Sequence, residues 1–136
     1  MPRLTPRFIQ DQRSSVEIRD WLSITQGYIS VIYFYDSRSP MISTVWNDVF
    51  ENLLASYSKA LASGQLTAAR ADISKDPNIA INFTKAPTYG IFWGRKSVRP
   101  KYIPATNPDA TKVIEETLER SGQYPDHPIT HTTVGS

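Results

Sequence analysis

Hydrophobic and polar positions along the chain fall into strand and helix periods that change at each cluster of proline, glycine or small polar residues. Tyr28 to Tyr35 (YISVIYFY) is β-branched or aromatic almost throughout, the pattern of a strand covered on both faces. After the polar stretch Asp36-Ser37-Arg38-Ser39-Pro40, Val45, Val49 and Leu53 recur at every fourth position. Trp46, Phe50, Leu54, Tyr57 and Leu61 widen the stripe. This predicts one helix from Pro40 to about Ser63. Ser39 is expected to cap it through its hydroxyl, Pro40 to sit at N1, and Gly64 to lie just past its end.

Upstream, Ile18, Trp21 and Leu22 give a short helix from Ser15 to Ser23, ended by Gln26-Gly27. Downstream, Leu66 to Ile73 (LTAARADI) reads as a second strand. Asp76-Pro77 then opens a short helix carrying Ile79 and Phe83. Tyr89–Trp93 and Val98–Ile103 form a hairpin around residues 94–97, and Pro100 makes its second arm an edge by removing a ladder donor. Asn107-Pro108-Asp109 starts a last helix with Val113, Ile114 and Leu118 on one face and Gly122 beyond it. The order implies an α/β domain: a mixed central sheet of roughly four strands, helices on both faces, and a C-terminal hairpin plus helix. Residues 1–14 read as an extended arm, 15–122 as the folded domain and 123–136 as an extended tail, since neither end shows a hydrophobic period.

Composition narrows the chemistry. The 136 residues are 40% hydrophobic and 21% charged, with a net charge of +2 and no cysteine. That suits one globular domain and falls short of a nucleic-acid polyelectrolyte. Without cysteine there are no disulfides, thiolate metal sites or cysteine nucleophiles. His127 and His131 are the only imidazoles, and Pro125 and Pro128 oppose the helix that would make their spacing a ligand pair. No metal and no cofactor are expected. The apolar run Ile29–Tyr35 is too short to cross a bilayer. The N-terminus lacks the apolar core of a secretory signal, which favours a cytoplasmic or organellar interior, the mitochondrion included.

One charged cluster stands out. Arg95, Lys96, Arg99 and Lys101 place four cations in seven residues of the hairpin without an acid. Such a patch suits RNA or an acidic protein surface, or simply a solvated edge guarded against aggregation.

The stretches VIYFYDSRSPMIS, ARADISKDPNIAINF and APTYGIFWGRKSV, taken in this order, resemble the thioredoxin fold over about residues 15–121. The resemblance puts Ser39 on the family's first active-site cysteine and Ile42 on its second. It puts Arg38 on the preceding tryptophan, Tyr33 on the buried acid that assists proton transfer, and Pro87 on the cis-proline. In that family the backbone before the cis-proline pairs with extended peptides beside the helix start. The resemblance therefore implies Ser39, Pro40, Ala86, Pro87 and Thr88 as peptide- or partner-binding candidates.

Neither sulfur is present, so thiol–disulfide exchange is excluded. A serine hydroxyl needs a general base, and no histidine is near Ser39 in sequence. The expectation is a non-enzymatic, redox-inactive protein that binds protein partners, most concretely an accessory subunit of a larger assembly. A peptide-holding chaperone, resembling the cysteine-free domains of the protein disulfide isomerase family, is the alternative. RNA binding through the hairpin is a third reading, and a serine-based glutathione-dependent activity a residual one.

Overall fold

A computed structural model of the chain describes residues 9–24, 29–94 and 98–126, without the side chains of residues 40–46. The elements run β1 (Ile9–Gln12), α1 (Ser15–Ile24), β2 (Ile29–Tyr35), α2 (Pro40–Ala55), α3 (Ser58–Ser63) and β3 (Leu66–Asp72). Then follow α4 (Pro77–Asn82), β4 (Thr88–Trp93), β5 (Lys101–Pro104) and α5 (Ala110–Arg120). The sheet order is β1-β3-β2-β4-β5. The first three strands are mutually parallel, while β4 runs antiparallel to both β2 and β5.

The sheet thus has five strands rather than four. The extra one comes from Ile9–Gln12, inside the segment read as an extended arm. With one hydrophobic residue in four, it has no period of its own. Ile9 and Gln12 are nevertheless buried, because pairing with Ala68–Ala71 of β3 brings the segment onto the sheet edge. β3 is consequently interior. Its alanines are poor strand formers, but Ala68, Ala69 and Ala71 are buried, and their small side chains let helices approach both faces.

The single helix expected over 40–63 is two helices. Ser56 and Tyr57 form a turn in which the Ser56 amide donates to the Leu53 carbonyl (3.2 Å) and that of Tyr57 to Leu54 (2.9 Å). Gly64 closes α3 at φ +82°, the left-handed conformation that favours glycine. The final arm of the hairpin is also shorter than expected. β5 begins at Lys101, after Pro100, and it is the sheet's other edge.

Two cores flank the sheet. On one face Val31, Tyr33, Ala68, Tyr89 and Ile91 meet Phe50, Leu54, Tyr57, Leu61, Ile114 and Leu118 from α2, the turn after it, α3 and α5. On the other, Ile32, Phe34, Ala69, Ala71 and Phe92 meet Ile18 and Trp21 of α1 and Ile79 of α4. This two-faced burial is why β2 reads as a continuous apolar run. Every residue from Ile29 to Phe34 is buried. Among the described residues no helix is long and apolar enough to cross a membrane.

The C-terminal segment is attached at its start. The Asp126 amide donates to the Ser56 carbonyl (2.7 Å), while its carboxylate accepts from the Lys59 amide (2.9 Å) and the Ser58 hydroxyl. The carboxylate thereby satisfies donors at the beginning of α3 that the helix itself leaves open.

Candidate functional site

The candidate residues lie at the end of the sheet where the parallel strands finish. There, β2 passes through residues 36–39 into α2. Asp36 organises this turn. Its carbonyl accepts the Ser39 amide (3.0 Å), and its carboxylate takes the Arg38 amide (3.0 Å), Nε (2.8 Å) and Nη2 (2.7 Å). The side-chain bonds from Arg38 hold the Asp36 carboxyl below its usual range. Arg38 itself is 72% exposed, so this fork orders the turn and adds little to global stability.

Ser39 occupies the N-cap position of α2 and Pro40 follows at the helix start. The expected capping bond is not made. With φ −116° and ψ 71°, the residue lies outside the helical region, and its hydroxyl caps no amide of the helix. Ser39 is exposed. Ile42 stands in the first turns of α2, and the side chains of Pro40 and Ile42 lie outside the described residues.

A second carboxylate joins this turn to the next strand end. Asp72 Oδ1 accepts from the Ser37 amide (3.1 Å), the Ser74 amide (3.0 Å) and the Ser74 hydroxyl (2.7 Å). The Ser37 and Ser74 hydroxyls meet at 2.9 Å, and the Ile73 amide donates to the Tyr35 carbonyl at 2.8 Å. Burial pushes the Asp72 carboxyl up, but the bonds from Ser37 and Ser74 outweigh it and hold it below the usual carboxylate range. Asp72 was not among the sequence candidates. Its signal was a lone acid ending an alanine-rich strand, followed two residues later by a serine.

Ala86, Pro87 and Thr88 reach the same end of the sheet, because Thr88 opens β4 opposite Phe34 of β2. The Ala86–Pro87 bond is cis. The Pro87 carbonyl accepts the Ala105 amide at 3.0 Å, and Thr88 is buried while Ala86 and Pro87 are half-buried.

Tyr33 lies beneath, fully buried against Tyr35, Phe50 and Tyr89 at ring-centroid distances of 5.7, 5.7 and 5.3 Å. Its hydroxyl has no hydrogen-bond partner among the described residues. Burial, then the neighbouring Tyr89 and Tyr35, push the phenol well above its ordinary value. Tyr33 therefore stays neutral at every physiological pH, whereas a carboxylic acid in such a place could exchange a proton.

The fold does not bring Arg99 and Lys101 to this site. Trp93 pairs with Ile29 at the start of β2 and Lys101 with Ile91, so the facing ends of β4 and β5 lie at the opposite end of the sheet. Arg99 and Lys101 are exposed there. Arg95, Lys96, His127 and His131 lie outside the described residues. Among the described residues there is no group of three or more histidines, aspartates and glutamates that could hold a metal.

No protein-family profile matches the chain, and no curated protein matches it in sequence. Similarity is found in solved structures. Thioredoxin O2 from Arabidopsis thaliana superposes with a TM-score of 0.58 at 20% identity, over 85% of this chain and 96% of that one. Mitochondrial thioredoxin 3 from Saccharomyces cerevisiae gives 0.55 at 19%, over 82% and 94%. A designed protein gives 0.61 at 20%, over 81% and 97%. At these identities the likeness establishes architecture alone. The chain has an α/β thioredoxin-like fold, and it carries no cysteine with which to perform thioredoxin's exchange chemistry.

Proposed function

We propose that this is a non-catalytic thioredoxin-fold protein that works by binding protein partners, as an accessory subunit of a larger assembly. The observation that supports the reading is Ser39. It stands exposed at the head of α2, at the position the thioredoxin resemblance assigns to the reactive thiol, with its hydroxyl not used as a helix cap. Ala86, Pro87 and Thr88 reach the same end of the sheet, so a binding surface there needs no reactive atom. Folds commonly retain such a surface when they lose a chemistry.

The test is co-purification of tagged full-length chain from native extract, with the captured proteins identified and the native mass measured. Ser39→Arg should release the partner without lowering the melting temperature, since the native side chain makes no cap bond to lose. Arg99→Glu with Lys101→Glu should leave the partner bound. A chain that migrates as a monomer, with the Ser39 variant indistinguishable from wild type, would overturn the proposal. Loss of the partner in the Arg99/Lys101 variant alone would move the interface to the hairpin.

A further inference from the structure

A polar cavity of about 400 Å³ opens at the carboxyl ends of β1, β3 and β2. In open α/β sheets the crevice outside the carboxyl ends of parallel strands is where ligands gather, because loops diverge there and leave space. This cavity adjoins the turn that leads to Ser39 through Asp72 but is lined by other donors, Gln12, Arg13, Arg70 and Lys75.

Gln12 is the first of these. It ends β1, is mostly buried at 7% exposure, and lines the cavity with a side-chain amide whose N–H groups can donate. Arg70 is the second. Its Nε and Nη2 both reach Asp11 Oδ1 at 3.1 Å and its Nη1 reaches Asn47 Oδ1 at 3.0 Å. A guanidinium has more N–H groups than these bonds use. Asn47 is itself fixed by donating to Glu51 Oε2 at 2.7 Å, so the arginine is oriented from both sides.

Charge at the cavity points the same way. Arg13 and Lys75 line it, are exposed, and form no side-chain ion pair among the described residues. The two acids present are engaged: Asp11 with Arg70, and Asp72 Oδ1 with Ser37 and Ser74. Tyr35 also lines the space. Burial and the nearby Asp72 and Asp11 push its phenol up, against a smaller opposing effect of Arg70, so it remains an O–H donor.

We propose that this cavity binds a small molecule through an anionic oxygen group, a carboxylate or a phosphate, received by Arg70, Gln12 and Tyr35 with Arg13 and Lys75 at the rim. Its receiving groups are not those of the Ser39 surface, so either proposal can fail without the other.

The experiment is an amide NMR titration of the full chain with inorganic phosphate and, separately, succinate. Ionic strength is held constant, and sodium chloride alone is the reference. Saturable shifts are expected at the amides of Gln12, Arg70 and Lys75, with a midpoint on the order of 10 mM or below for such minimal probes. Arg13→Gln with Lys75→Gln should weaken binding about tenfold, leaving the spectrum elsewhere that of the wild type. Lys75→Gln alone serves as the second variant if the pair alters the fold. A response to phosphate only, or to succinate only, assigns the source of the anionic oxygen. No saturable shift at these amides with either probe overturns the proposal, as do shifts of equal midpoint in wild type and variants.

Discussion

Tyr33 and Arg70 stand directly opposite each other in the parallel ladder between β2 and β3, on the face that α2 covers. Arg70, with a bare edge strand on its other side, reaches Asp11 on β1 and Asn47 on α2. Tyr33, one strand further in, packs on the rings of Tyr35, Phe50 and Tyr89, and its hydroxyl has no hydrogen-bond partner among the described residues. One row of the sheet therefore passes from a cation held by two polar partners to a phenol with none among the described residues. The difference comes from distance to the edge, where polar partners and water are within reach.

Removing that hydroxyl should cost nothing. Tyr33→Phe keeps the ring contacts and deletes a buried, unpartnered polar atom, so stability is expected to be unchanged or to rise by about 1 kcal/mol. Urea unfolding at neutral pH measures this. The variant should also change the alkaline limb. The folded state raises the Tyr33 pKa above the ordinary 10.0. Folding therefore favours the protonated phenol, and the stability this provides is complete below pH 10 and lost as pH rises beyond it. Tyr33→Phe should flatten that loss, and identical alkaline profiles would contradict the assignment.

Asp72 gives the opposite dependence. Its depressed pKa means that its contribution is present above the ordinary carboxylate value of 3.8 and disappears as pH falls through the folded value. Asp72→Ala leaves the Ser37 and Ser74 amides without their acceptor, an expected loss of about 1–3 kcal/mol at pH 7. Denaturant melts from pH 7 to pH 2 should show the gap between variant and wild type closing below about pH 4.

Gly90 permits a close aromatic packing. A Cβ there would lie 2.9 Å from Phe92 Cε1, 3.0 Å from Phe34 Cε2 and 3.2 Å from Tyr102 Cε1. Tyr102 is partly exposed and can move, but Phe34 is fully buried and also packs on Phe83 at a centroid distance of 6.0 Å. Gly90→Ala is therefore expected to destabilise by about 1–3 kcal/mol, through overpacking rather than backbone conformation. Thermal and urea melts would show it.

Asp126 ties the C-terminal segment to α3 across 68 residues of sequence. Asp126→Ala should cost about 1 kcal/mol, the usual worth of a lost helix-start acceptor. Hydrogen exchange at the Lys59 amide should accelerate while amides in β2 and β3 keep their protection. Unchanged exchange at Lys59 would show that the contact contributes nothing in solution.

Several elements were legible because their cause is local. Ile29–Tyr35 is apolar without interruption, which only a strand buried on both faces requires. Asp76-Pro77 places a carboxylate and a proline where a helix start uses both, and Asp76 Oδ1 does accept the Asn78 amide at 3.0 Å. The division between α2 and α3 was not legible, since Leu53, Leu54, Tyr57 and Leu61 stay buried on the same core across the turn. The periodicity is therefore not interrupted where the backbone is. At the candidate site, the position of Ser39 before a helix-starting proline could be read from the residues. Whether its oxygen would serve as a cap depended on the turn geometry that Asp36 imposes.

By itself the order of residues determined the exclusion of sulfur chemistry and the alternation of helix and strand. Composition needs no fold to act, and hydrophobic period reports burial one segment at a time. Tertiary structure decided the fifth strand, the interior position of β3, the separation of Arg99 and Lys101 from the Ser39 end of the sheet, and the cavity at the strand ends. Each of these depends on groups far apart in sequence, such as Asp11 and Arg70, separated by 59 residues. Which distant segment supplies a strand edge or a counter-charge is settled only when the whole sheet closes.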